Sequence, residues 1–429
     1  MQILIKGVNL LNPAQKLNQK GDLLIENGII KKTGKVEAAE FPDATVYDFS
    51  GKYCVPGFYD MHVHLREPGR EDKETVITGC NAAAAGGFTG VAAMPNTTPT
   101  TDNAEIVRFI KERASRHLVD VDPVGAVTLD RKGESLSPML ELNEAGAVAF
   151  SDDGVAVKNA GILRKAMEYA KMVNGVILEH CEDESLAGGA MNESEVSTQL
   201  GLSSIPTIAE DLIVIRDILM AEYLNSKVHI AHISSKNAVE MVRQAKKKGI
   251  RVTAEVAPHH FTLTDEEIKK YDTNYKMNPP LRRKEDVEAM ISGLKDGTID
   301  CIASDHAPHT IEEKEVEFIY APNGIIGLET QLGLVLTELY HKKYLTLEQI
   351  VEKLSINPRK VLSLPVPEIK EGATANLSIF DPNEEWTVDI KKFKSRSINS
   401  PFGGRKLKGK ALAVINKAKI FVNGEMKKI

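Results

Sequence analysis

Apolar positions recur along this chain in two different rhythms. At the ends they form short runs: Ile3-Leu4-Ile5, Asp22 to Glu26 and Thr45 to Asp48 on one side, Ala375 to Phe380, Ala411 to Ile415 and Lys419 to Val422 on the other. Turn pairs such as Asn27-Gly28 and Asn423-Gly424 separate them, which is the pattern of strands. Neither end is large enough for a core of its own, so residues 1–54 and 365–429 are expected to combine into one small β-sandwich.

Between them, over residues 55–364, short apolar strands alternate with helical stretches, the pattern of a parallel sheet covered by helices. Strands are predicted to end near His64, Pro95, Thr128, Asp153, Glu182, Ser234, His260 and His309. Eight strands in alternation with helices predict a (β/α)8 barrel of the TIM type, an α/β fold. Helices are predicted over Thr75 to Ala85, Ala209 to Leu224, Ala238 to Lys248 and Asp286 to Leu294. Gly86-Gly87 and Gly249 follow two of them and supply left-handed caps. Asn357-Pro358 is expected to open a late helix with Asn as its cap.

Charge and cysteine usage narrow the function classes. A net charge of −6 and a pI near 6.1 argue against a nucleic-acid surface, and Lys246-Lys247-Lys248 reads as the solvated end of a helix. The opening residues are interrupted by Lys6 and Gly7 too early for a signal-peptide core, and no run reaches the roughly 18 apolar residues of a membrane span. Cys54, Cys80, Cys181 and Cys301 are scattered, with no C-x-x-C pair, which predicts reduced thiols and a cytoplasmic protein.

The chemistry concentrates in histidines. His62 and His64 lie two apart on one strand, so their imidazoles face the same way, and Arg66 continues that parity, pointing to an anionic substrate. Together with His180, His232, His259, His260, His306 and His309 they fall at the predicted C-terminal ends of strands, where barrel enzymes build their sites. His229 is expected on the opposite face of its strand, against a helix; Cys181 reads as a buried inert thiol, and His306 as a packed or hydrogen-bonded ring. The pair His259-His260 reads equally as support for the ligands or as a structural corner. Four imidazoles with carboxylates from Asp152-Asp153 and Asp305 suit Zn²⁺, and their number exceeds what one catalytic ion needs.

The set V-P-G-F-Y-D-M-H-V-H-L-R-E-P-G, M-P-N-T, F-S-D-D-G, E-H-C-E, A-H-I-S, A-P-H-H and S-D-H-A-P-H resembles the amidohydrolase superfamily, and within it class I dihydroorotase. The resemblance runs to Ser400-Pro401-Phe402-Gly403-Gly404 near the end. It implies the reversible cyclisation of N-carbamoyl-L-aspartate to L-dihydroorotate, the third step of pyrimidine biosynthesis. By the same resemblance, His62, His64 and Asp305 hold one zinc, His180 and His232 hold a second, and Asp153 with a hydroxide bridges them. The family's spacing to the fifth-strand histidine selects Asp153 over Asp152, and an acid there leaves no role for the carbamylated lysine that many relatives use. Asp305 is implied as the catalytic proton carrier; His64, Arg66, Asn96, Asn278 and His309, with the Asn323-Gly324 loop, are implied substrate binders. Only backbone contacts carry over for Asn323, because the family usually has an aromatic residue there, and Asn376 stands where an aspartate is common. The resemblance is also compatible with a homodimer and with a complex with aspartate transcarbamoylase. The competing readings are a sibling cyclic amidase (allantoinase or dihydropyrimidinase), which the acidic Asp153 opposes, and a non-catalytic partner of the transcarbamoylase, which the intact histidines oppose.

Overall fold

A computed structural model describes residues 1–429. Eight parallel strands run in sequence order: Phe58–Val63, Phe88–Ala93, Asp120–Gly125, Ala149–Phe150, Ile177–Glu179, Val228–Ile230, Val252–Val256 and Cys301–Ile302. A parallel bridge from Val63 to His306, reinforced by His64 N–H donating to the His306 carbonyl at 2.9 Å, joins the last strand to the first and brings the barrel close to closure. The expected (β/α)8 barrel is therefore present.

A cluster of 12 buried residues draws Tyr59, Ala92, Val124, Ala149, Leu178 and Cys301 from six different strands. Side chains from strands spread round a barrel meet only through its inside, so this cluster plugs it. A larger cluster of 65 residues fills the layer between strands and helices. Helix Val76–Gly86 starts on a Thr75 and Thr78 capping box and stops at Gly87, whose φ of 96° is cheap only for glycine. Helix Ile208–Leu224 extends the predicted one by a residue and ends on left-handed Asn225.

The two chain ends meet in one hydrogen-bonded sheet of nine strands, in which Tyr53–Pro56 pairs with Leu377–Thr387 and with Gln2–Asn12. Tyr53–Pro56 runs through Gly57 straight into the first barrel strand, which ties the sheet to the strand carrying His62. A core of 17 residues, including Ile5, Leu23, Cys54, Ile379 and Ile415, belongs to this domain alone. No helix is long and apolar enough to cross a membrane.

Three expectations are corrected. The barrel strands end one to several residues before the predicted points, because the chain turns out of extended geometry there; His232 and Asp305 have φ of 31° and 48°. Asn357 does not cap its helix: the chain is already helical at Ile356, and the Asn357 side chain donates to the Asp300 carbonyl at 2.9 Å. His229 does not pack against a helix. It is fully buried beside Thr253 and Glu255 of the neighbouring barrel strand, because the turn at His232 breaks the alternation that placed the two histidines on opposite faces.

Candidate metal centre and substrate pocket

Six residues from five separate stretches of the chain converge just past the ends of the barrel strands. Asp153 stands between two histidine pairs: its carboxylate lies 3.3 Å from His62 Nε2 and 3.5 Å from His64 Nε2 on one side, 3.5 Å from His232 Nε2 and 3.7 Å from His180 Nδ1 on the other. Asp305 Oδ1 joins the first pair, 3.1 Å from His64 Nε2 and 3.6 Å from His62 Nε2. All six side chains are buried. His62-His64-Asp153 and Asp153-His180-His232 each bring three ligand atoms within 4.8 Å of one another, the spacing of a shared coordination sphere.

The partners of these rings fix which nitrogen faces the centre. His62 Nδ1–H donates to Glu255 at 2.7 Å and His64 Nδ1–H to the Asn96 side-chain oxygen at 2.7 Å, so in both rings it is Nε2 that turns toward Asp153 and would meet a cation. His62 Nε2 and Asp153 Oδ1 are buried without any hydrogen-bond partner, as atoms reserved for a cation would be. A nitrogen-rich set with two carboxylates fits a divalent transition metal. Burial alone would lift the Asp153 carboxyl, but His62, His180 and His232 outweigh it and hold it well below the usual carboxylate range. The reverse holds for His180: burial opposes its charge, yet Asp153 and Glu182 push it up to about 10. A cation placed among these groups competes with that proton, so metal uptake and proton release are linked.

Asp152 takes a different part. It accepts from the backbone N–H of Val127 and Thr128 at 2.9 Å each and from the Thr128 hydroxyl, tying the third-strand loop to the fourth. Cys181 is buried with its Sγ 3.6 Å from the Glu179 carbonyl, and burial pushes its thiol well above the ordinary range, consistent with an inert group. His306 is hydrogen-bonded, between Glu74 at 3.3 Å and the Gly327 N–H at 3.2 Å. His260 meets the Pro279 carbonyl at 2.9 Å and packs edge-on against His259, whose Nε2 is buried and unpartnered.

Arg66 arrives beside the centre by a turn and not by strand parity: the strand ends at Val63, and Arg66 has a φ of 60°. Its Nε donates to the Pro308 carbonyl at 3.2 Å, which leaves the terminal nitrogens of the guanidinium for a carboxylate. Asn278 donates to Glu182 at 2.9 Å and lies 3.4 Å from His180 Nε2. His309 bonds the Asn323 carbonyl at 2.8 Å through Nε2, and Gly324, with φ of 153°, lies so near that a Cβ there would fall 2.7 Å from the His309 ring.

Sequence reasoning missed Glu255 and Asp60. Glu255 Oε2 also lies 3.3 Å from His229 Nε2, so one carboxylate braces two rings; its only signal in the sequence is an acid inside the apolar strand Val252–Val256. Asp60 accepts from the His62 and Ser304 N–H groups and so holds the first strand to the eighth, and burial pushes its carboxyl up to about 7.

Residues 51–238 match the family described as dihydro-orotase-like. Over its whole length the chain is similar to curated relatives named dihydroorotase: 52% identity with that of Pelotomaculum thermopropionicum, covering 97% of each chain, and 51% with that of Geotalea daltonii, covering 98% of this chain and 99% of the relative. Among solved structures, an L-hydantoinase (dihydropyrimidinase) from Arthrobacter aurescens superposes with a TM-score of 0.87 at 24% identity, covering 100% of this chain and 97% of that one. That likeness establishes the shared barrel fold.

Proposed function

Because the chain belongs to the dihydroorotase family, we propose how its own residues carry the dihydroorotase reaction, the reversible closure of N-carbamoyl-L-aspartate to L-dihydroorotate with loss of water. The chain is an enzyme, a hydrolase of a cyclic amide. Within the family it is read as class I, with residues 55–364 as the barrel and residues 1–54 and 365–429 as the β domain. The observation that carries the site assignment is the position of Asp153, one carboxylate within 3.7 Å of four imidazoles. It supports two zinc ions, one held by His62, His64 and Asp305, the other by His180 and His232, with Asp153 shared.

Bound there, zinc supplies Lewis acidity toward a carbonyl oxygen and makes water more acidic. The side chains do the rest. In the hydrolytic direction water adds to the ring amide carbonyl carbon, the C–N bond breaks, and Asp305 takes the proton from the water and returns it to the departing nitrogen. His62, His64 and His232 outweigh burial and keep the Asp305 carboxyl ionised, the first two within 3.6 Å of it. Arg66 and Asn96 take the substrate's carboxylate, and Asn278, His309 and the backbone at Asn323 and Gly324 close the pocket round the ring. Biosynthesis runs the same groups backwards, the ureido nitrogen attacking the side-chain carboxyl and water leaving. A homodimer and a complex with aspartate transcarbamoylase belong to this reading as the partners its family suggests.

The test is to follow the purified protein with carbamoyl aspartate, dihydroorotate, allantoin and dihydrouracil in parallel. Dihydroorotate and carbamoyl aspartate are expected to interconvert and the two uncharged rings to react far more slowly. A preference for allantoin or dihydrouracil would overturn the reading.

A further inference from the structure

Lys73 is a buried lysine in the loop after the first barrel strand, and nothing in the reaction as described uses it. Its Nζ lies 3.2 Å from His309 Nδ1 and 2.9 Å from Glu313 Oε2. On the far side of the ring, His309 Nε2 is 2.8 Å from the Asn323 carbonyl.

These contacts determine where the ring proton sits. A carbonyl oxygen only accepts, so Nε2 carries the hydrogen; an ammonium only donates, so Nδ1 offers it a lone pair. Glu313 Oε2 is also 3.2 Å from Nδ1, but as an acceptor it finds no proton there and pairs with Lys73 instead, while Glu313 Oε1 accepts from Arg70. We infer that Lys73 is a positioning residue that holds His309 as the neutral Nε2–H form, so that the ring's single N–H stays directed at the Asn323 carbonyl and fixes the pocket wall that His309, Asn323 and Gly324 present to the substrate. This rests on the reading of His309 as a substrate-binding residue.

The charged groups facing the ring agree. Arg66 and Lys73 from the first loop and Lys314 from the short helix Ile311–Lys314 all oppose a second proton; Glu313 alone favours one. Burial first, and then these cations, hold His309 at about 3. Without Lys73 the nearest group to Nδ1 is the Glu313 carboxylate, which draws a proton onto the ring. His309 then becomes a cation whose charge comes and goes with pH, and its grip on an anionic substrate comes to depend on pH as well.

The experiment is histidine-selective ¹⁵N labelling of the zinc-loaded enzyme, with His309→Gln to assign the signals, alongside pH profiles of kcat/KM for dihydroorotate. In the wild type His309 should show a bare Nδ1 and no titration between about pH 5.5 and 9. In Lys73→Met the same ring should gain an Nδ1 proton with a titration step inside that window. Its kcat/KM should bend at the same pH, with KM shifting about tenfold and kcat much less. Lys73→Arg, which keeps a donor, should retain the wild-type signals, and metal content and melting temperature in all variants separate this from misfolding. A wild-type ring protonated at Nδ1, or Lys73→Met spectra and profiles that superimpose on the wild type, would overturn the inference. An unchanged KM in His309→Gln would overturn the substrate-binding reading beneath it, and is distinguishable because the tautomer is read from the spectra and not from kinetics.

Discussion

Replacing Glu255 with Gln should weaken metal binding while leaving the barrel folded, because Glu255 touches the centre only through the ring it braces. The perturbation is small in shape: Gln has nearly the same volume, and its amide oxygen can still accept from His62 Nδ1–H, now 2.7 Å from a carboxylate oxygen. What is lost is the charge. A hydrogen bond to an ionised group contributes about 1.5–3 kcal/mol where a neutral one contributes about 0.5–1.5, so the exchange costs about 1–2 kcal/mol, or roughly 5- to 30-fold in affinity. That range overlaps the ~10- to 100-fold losses usual when a ligand's outer partner is changed. The assay is equilibration against graded chelator, with zinc by elemental analysis and dihydroorotate hydrolysis in the same samples. Activity should follow zinc content along one curve for both proteins, displaced for the variant. Wild-type zinc affinity in Glu255→Gln would refute the bracing role, and lost activity at full zinc occupancy would mean that Glu255 acts on the reaction and not on the ligand.

Removing all divalent metal with chelator should abolish turnover, and zinc should restore it; full activity after verified removal would sink the mechanism. Asp153→Ala should empty the centre, whereas Asp152→Ala should keep its zinc and lose about 1–3 kcal/mol of stability by orphaning the Thr128 N–H and leaving the Val127 N–H only its 3.3 Å bond to the Ser151 carbonyl; equal zinc contents would contradict the placement of Asp153. Arg66→Met should lower kcat/KM for dihydroorotate about 10- to 150-fold through loss of a charge-assisted pair worth about 1.5–3 kcal/mol, and parallel losses on uncharged dihydrouracil would refute carboxylate recognition. His117 bears on pH stability: it is buried, accepts the Val119 N–H at Nδ1, and burial, then Lys419 and Lys417, lower it from 6.5 to about 4. The folded state binds fewer protons than the unfolded, so this contribution is complete above pH 6.5 and is lost as pH falls toward 4, about 2 kcal/mol of it by pH 5. Urea midpoints should therefore drop further between pH 7.5 and 5 in the wild type than in His117→Gln, and equal drops would show that His117 does not carry it.

The barrel and the gathering of histidines were legible because both rest on local pattern. Apolar runs alternating with capped helices announce the strands, and His62 and His64 are near enough in sequence for parity to hold, their ring centroids lying 5.4 Å apart. What parity does not carry is the point where a strand stops being extended. His232, Asp305 and Arg66 all have positive φ, so the orientation of His229 came out wrong and Arg66 came out near the centre for the wrong reason. Choosing Asp153 over Asp152 needed the family's spacing, since two adjacent acids look alike until their neighbours are known. Glu255 and Lys73 were missed because their partners, His62 and His309, are about 190 and 240 positions away, and only tertiary structure brings such pairs together.

The nine-stranded sheet also governs when this enzyme can be finished during synthesis. Phe58 N–H bonds the Ser378 hydroxyl 320 positions later, and Tyr53–Pro56, which leads into the strand of His62 and His64, has Leu377–Thr387 as a neighbour. On the ribosome the early strands are made long before that neighbour exists, and throughout that interval one edge of Tyr53–Pro56 lacks its partner. Closing a loop of that length is slow compared with local helix formation. The support beneath the strand of His62 and His64 is thus completed only once Leu377–Thr387 has been made, late in the synthesis of each new chain.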